Sequence, residues 1–137
     1  MSRVLGIDYG ERRMGLAISD PMGIIAKPLR VLDRKRIPDY ISEILDIAAA
    51  RDVHKIVVGL PLALKGGYSS QTKVVQDFID KLRQTGKISV VQIDERLSSV
   101  AAKRSLQEQG VKTGHEKGRV DETAAAIILQ EYLDSKS

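Results

Sequence analysis

A chain of 137 residues, 42% hydrophobic and 29% charged, fits one domain with one core, and it holds no apolar run of the roughly 20 residues that a membrane span requires. Cysteine is absent, which excludes disulfides and thiolate metal sites; a metal ion would have to sit on oxygen or on His54 or His115. Twenty-two Lys and Arg against 18 Asp and Glu leave a formal charge of +4, compatible with a polyanionic partner such as nucleic acid.

Met1-Ser2-Arg3 runs straight into strand-like sequence, so no secretory leader is expected. Residues 3–8 (RVLGID) and 14–19 (MGLAIS) are short apolar strands joined by a polar turn, and 24–32 (IIAKPLRVL) is a third, with Pro28 pointing to an edge position or a bulge. From Pro38 to about Arg51, Ile41, Ile44, Leu45 and Ala48 recur at helical spacing, with His54 near the helix end. KIVVGL, 55–60, has the continuous apolar run of a strand covered on both faces. Gly59, Pro61, Gly66 and Gly67 suggest a loop next. Ser69 or Ser70 can cap a second helix with Val74, Val75, Phe78, Ile79 and Leu82 on one stripe and Gly86 beyond its end. ISVVQI, 88–93, is a fifth strand, Ser98 or Ser99 can cap a helix to about Gln109, and the basic, glycine-containing stretch 110–119 reads as a mobile loop carrying His115. A last helix is expected from about Asp121 to Leu133, with 134–137 a frayed tail.

The order βββαβαβαα predicts an α/β fold: one domain, 1–137, built on a five-stranded mixed sheet with helices on its faces and strands one, four and five parallel. Ligands gather at the carboxyl ends of such strands. Asp8 ends strand one, Asp94 and Glu95 end strand five, and Asp121 begins the last helix, where its charge suits the helix dipole. Acids converging there would repel one another unless a cation neutralised them. Mg²⁺ or Mn²⁺ takes carboxylate oxygens, and a pair of ions about 3.5–4 Å apart supports phosphodiester hydrolysis. Alternation sends Asp94 and Glu95 to opposite faces, so one of them shares a site with Asp8; the longer Glu95 is preferred, with Asp94 as its substitute. Gly10 allows a backbone or a phosphate to approach closely. Arg12, Arg13, Lys65, Lys112, Lys117 and Arg119 are either solvated charges or phosphate contacts, and Tyr9 and Tyr68 are the stacking candidates near the edge.

The stretches GIDYGERRMGLA, VVGLPLALKGG, IDERLSSVAA and KGRVDETAAAIIL, in this order along nearly the whole chain, resemble the successive motifs of the YqgF/RuvX family of the ribonuclease H-like superfamily, which also holds the Holliday-junction resolvases. The resemblance implies a ribonuclease H-like fold and a divalent-metal nuclease with Asp8, Glu95 (or Asp94) and Asp121 as catalytic and metal-binding acids. Arg12 stands at the family's basic position after the acid-turn-glycine motif, and Lys117 and Arg119 are further substrate-binding candidates. Ser99 stands where Thr is frequent, and no second acid lies one turn from Asp121. The implied role is cytoplasmic processing of the 5′ end of pre-16S ribosomal RNA, by a monomer or homodimer; Holliday-junction cleavage in DNA recombination is the competing assignment. A non-catalytic binding module would be expected to lose one of the acids, and all are present. An actin- or sugar-kinase-like ATPase would need a second, duplicated domain, for which 137 residues leave no room.

Overall fold

Arg3–Tyr9 (β1) is buried at almost every position, and only a central strand covered on both faces removes that much aliphatic surface from water. The computed structural model describes residues 2–61, 69–95 and 114–136, with the backbone alone described over 114–123. Around β1 lie β2 (Arg13–Ser19), β3 (Ala26–Asp33), α1 (Tyr40–Ala50), β4 (Val53–Leu60), α2 (Ser70–Gln84), β5 (Ser89–Asp94) and α3 (Gly114–Lys136). The sheet order is β3-β2-β1-β4-β5; β2 is antiparallel to both β1 and β3, whereas β1, β4 and β5 are parallel. This is the expected mixed sheet. Pro28 lies on the edge strand β3, where the register with β2 also slips by one residue.

Alternation divides the core. Leu5, Ile7, Ile56 and Val58 face α1 and α2 together with Phe78, Ile79 and Leu82, while Val4, Ala17 and Val57 face α3 through Ala125, Ile128 and Leu129. Both faces therefore carry helices. Asp39 caps α1 by accepting from the Ser42 N–H at 3.3 Å, so the helix begins after Pro38. Ser69 caps α2 in a reciprocal pair with Thr72, whose hydroxyl also donates to the Pro61 carbonyl. His54 lies in β4 rather than at a helix end, and its Nδ1 is 2.7 Å from the Ser2 hydroxyl. Gln130 of α3 accepts from the Ala26 N–H and donates to the Ile24 carbonyl, anchoring the β2–β3 loop.

Three expectations need correction at the chain's end. Residues 114–119 are not a loop: α3 begins at Gly114. A glycine within a helix, here Gly118, costs about 1 kcal/mol against Ala, yet extending a helix whose later turns are already docked avoids the cost of nucleation. Asp121 consequently lies two turns inside α3 and is not its first residue, beyond the reach of the N-terminal dipole. Nor do residues 134–136 fray. Gln130 donates to Asp134 at 3.0 Å, the Ser135 hydroxyl donates to the Tyr132 carbonyl at 2.7 Å, and Lys136 lies over the Tyr132 ring, carrying the helix to Lys136. The helix expected over 98–109 falls outside the described residues. No helix among the described residues is long and apolar enough to cross a membrane.

Candidate active site

Asp8 is the penultimate residue of β1, opposite Gly15 of β2. Alternation from Val4 places it on the α3 face, and it is only 7% exposed. Glu95 follows directly on β5 and is equally buried, at 7%. Between β1 and β5 runs β4, with Gly59 level with Ile93. A Cβ on Gly59 would lie 2.9 Å from Glu95 Oε1 and 3.2 Å from its Cγ, so the Glu95 side chain folds back over β4. Its carboxylate thus occupies the space that any other residue at position 59 would fill, about one strand spacing (~4.8 Å) from β1 and on the face that Asp8 shares. Gly59 lies within β4, as the strand expected over 55–60 requires; Gly66, Gly67, Lys65 and Tyr68 lie outside the described residues.

Asp94 alternates to the other face with Gln92, whose Oε1 accepts from Gln76 and Arg83 of α2 at 3.2 and 3.4 Å. α3 covers the Asp8 face and runs antiparallel to β4: Ile128 Cδ1 would lie 2.7 Å from a Gly59 Cβ, while Tyr132, one turn later, receives a hydrogen bond from Lys55 near the start of β4. The turns before Ile128 therefore lead toward and past the carboxyl edge of the sheet. Asp121 sits on that part of the helix, about 10 Å along the axis from Ile128 and, at seven residues' separation, on the same side of it. Lys117 and Arg119 lie one turn or less further out, in helix rather than loop. Among the described residues no three His, Asp or Glu side chains converge; the Asp121 side chain is not among those described.

The turn after Asp8 is tightly held. The Gly10 N–H donates to the Arg13 carbonyl at 3.0 Å, and a Cβ on Gly10 would lie 2.5 Å from that oxygen, so this glycine admits the hairpin's own backbone, not a phosphate. Tyr9 is no base-stacking platform. It is buried, stacked on Phe78 at 4.3 Å, and its hydroxyl lies 3.2 Å from that of Tyr40; burial, with that hydrogen bond second, raises its pKa far above the usual phenol value. Over its ring lies Arg34, 4.5 Å from the centroid, which donates to the Gly10 and Glu11 carbonyls at 3.0 and 2.6 Å. Arg12 is 57% exposed and pairs with Asp33 at 3.6 Å. Arg34, Asp33 and the role of Gly59 went unnoticed in the sequence, although the basic run DRKR after a strand was a visible signal.

A family model described as "RuvX: Holliday junction resolvase" matches residues 2–135. A protein of Chloroflexus aggregans named "Putative pre-16S rRNA nuclease" is 43% identical over 133 residues, covering 97% of this chain and 94% of its own; one of Roseiflexus sp. with the same name is 40% identical over 134 residues, covering 98% and 95%. Among solved structures, RuvC of T. thermophilus in complex with a Holliday junction substrate superposes with a TM-score of 0.59 at 13% identity over 99% of this chain and 96% of that one. The Fowlpox virus resolvase bound to Holliday junction DNA gives 0.57 at 12% identity, with 98% of both chains covered. At that identity the likeness establishes the ribonuclease H-like fold alone.

Proposed function

Because this chain belongs to the RuvX family of Holliday junction resolvases, we propose that it is a divalent-metal-dependent nuclease, a single domain over 1–137, that matures the 5′ end of pre-16S ribosomal RNA in the cytoplasm. The observation that carries the reading is the pair of buried carboxylates, Asp8 and Glu95, brought to one face of one sheet edge by a glycine on the strand between them. Such an all-oxygen donor set, in a chain without cysteine, fits Mg²⁺ or Mn²⁺. Asp8, Glu95 and Asp121 would hold the metal, as one or two ions, and Asp94 would stay outside because its strand position faces α2. Bound there, the metal supplies charge stabilisation at the reacting phosphate and a water of lowered pKa.

The chain's own groups do the rest. Burial of Asp8 and Glu95 keeps bulk water from competing for their oxygens. Arg34 fixes the turn after Asp8, so that the carboxylate and Arg12 are presented in one geometry. Arg12, with Lys117 and Arg119 on the projecting turns of α3, supplies cations for the flanking phosphates. The relatives' name supports RNA as substrate. The family's own description favours a second reading, cleavage of a four-way DNA junction, which would require two active sites and hence a homodimer where a monomer suffices for RNA.

The test incubates the protein and an Asp8→Asn variant, with Mg²⁺ or Mn²⁺, against a pre-16S 5′ fragment and a four-way junction. Cleavage of the RNA, lost at least a hundredfold in the variant, is expected. Equal activity of the two proteins would remove Asp8 from the site, and cleavage of the junction alone would move the assignment to the second reading.

A further inference from the structure

The turn between β3 and α1 comes to the same edge of the sheet as Asp8. Arg13 pairs in register with Asp33 as Tyr9 pairs with Met14, and β2 is the single strand between β1 and β3, so this turn lies two strand spacings, about 10 Å, from β1. It is bound to the turn that follows Asp8. The Arg34 N–H donates to the Arg12 carbonyl at 2.8 Å, and the Arg34 guanidinium reaches the Gly10 and Glu11 carbonyls, so the two turns form one rigid unit.

Asp33 organises the outer surface of that unit. Its Oδ1 accepts from the Lys35 N–H at 3.0 Å, and its Oδ2 lies 3.6 Å from Arg12 and 3.9 Å from Arg36. The Lys35 N–H first, then the two guanidinium groups, hold this carboxyl below the usual range, keeping it charged. Arg36 is 85% exposed and Lys35 is exposed as well. Long, solvated ion pairs of this kind contribute little, and either arginine can exchange a carboxylate oxygen for a phosphate oxygen at small cost. The two turns set Arg12, Arg13, Arg34, Lys35 and Arg36 against Glu11, Asp33 and Asp39, the last of which caps α1, so positive charge is in excess there.

We propose that Lys35 and Arg36, with Arg12, form a second phosphodiester-binding element that grips the substrate backbone away from the bond being cut, at a distance from Asp8 set by the Arg34 clamp. This rests on the nuclease reading above. Contacts of this kind position the strand and carry no base specificity.

Binding is measured by fluorescence anisotropy between 50 and 200 mM salt in an Asp8→Asn background, with and without Lys35→Gln/Arg36→Gln, on the pre-16S fragment and on the four-way junction. On whichever of the two the unmodified protein cleaves, the slope of log affinity against log salt falls in magnitude by about 2, one for each cation removed. Over a fourfold rise in salt the background protein then loses roughly 16-fold more affinity than the variant. Lys87→Gln, a lysine at the opposite end of the sheet, leaves the slope unchanged. An unchanged slope in the Lys35/Arg36 variant, or an equal fall with Lys87→Gln, overturns the proposal. A lowered slope combined with no cleavage of either nucleic acid would overturn the nuclease reading while the phosphate contact stood.

Discussion

Gly59→Ala adds one methyl group at the centre of the candidate site. The new Cβ would lie 2.7 Å from Ile128 Cδ1, 2.9 Å from Glu95 Oε1 and 3.2 Å from Glu95 Cγ, so at least one of these side chains must move. Ile128 is fully buried and has nowhere to go without disturbing α3; Glu95, at the end of β5, gives way more easily. Overpacking of this kind costs about 1–3 kcal/mol, offset by about 0.4–1 kcal/mol because alanine restricts the unfolded chain. A net loss of roughly 1–2 kcal/mol lowers the melting temperature by about 3–8 °C in a chain of this size. Displacing the Glu95 carboxylate by about 1 Å reduces single-turnover cleavage on the order of a hundredfold. Adding Ile128→Val removes the clashing Cδ1, so the double variant is more stable than the sum of its parts by at least about 0.5 kcal/mol, while cleavage stays depressed because the Glu95 contact remains. Thermal denaturation and single-turnover kinetics on all four proteins decide it. A melting temperature within 1 °C of the parent and a rate within threefold, for Gly59→Ala alone, would refute the placement of Glu95 over β4.

Arg34→Lys keeps the charge but loses the planar guanidinium that lies over Tyr9 while its Nη1 donates to both the Gly10 and Glu11 carbonyls; a loss of about 1–3 kcal/mol is expected in denaturant unfolding, and full rescue by lysine would reduce the clamp to a simple charge effect. Asp20 accepts the N–H groups of Met22, Ile24 and Ile25, and those bonds, that of Ile25 foremost, hold its carboxyl below the usual range. The folded-state pKa is therefore the lower one: the contribution is present in full above the unfolded value of about 3.9 and is lost as pH falls through the folded value. Hydrogen exchange at those three amides should accelerate in Asp20→Ala at neutral pH and in the parent only under acid; equal protection in the two proteins at neutral pH would show that the carboxylate does not hold the loop.

What the sequence discloses and what it hides divide along the range of the interactions. Strands such as IVVGL and the Ser69-capped α2 follow from local pattern, and the parallel arrangement of β1, β4 and β5 follows from the handedness of crossovers, so the sheet edge that holds Asp8 and Glu95 is legible before any coordinates. The start of α3 is not, because Gly114 and Gly118 are judged by propensity, and propensity yields to a helix already anchored by Ala125, Ile128 and Leu129. Arg34 looks like one more surface cation in DRKR; only the folded chain shows it turned inward onto Tyr9, 25 positions earlier. Gly59 is the most instructive case. Local pattern places it in the strand over 55–60 and gives it no task beyond shaping the loop that follows, yet it lies between two acid-bearing strands. With β4 between them, the missing side chain at Gly59 leaves the Glu95 carboxylate room on the face that Asp8 shares. The strand is legible from local pattern, whereas the role of its glycine depends on β4 lying between β1 and β5, a neighbourhood that the folded sheet supplies.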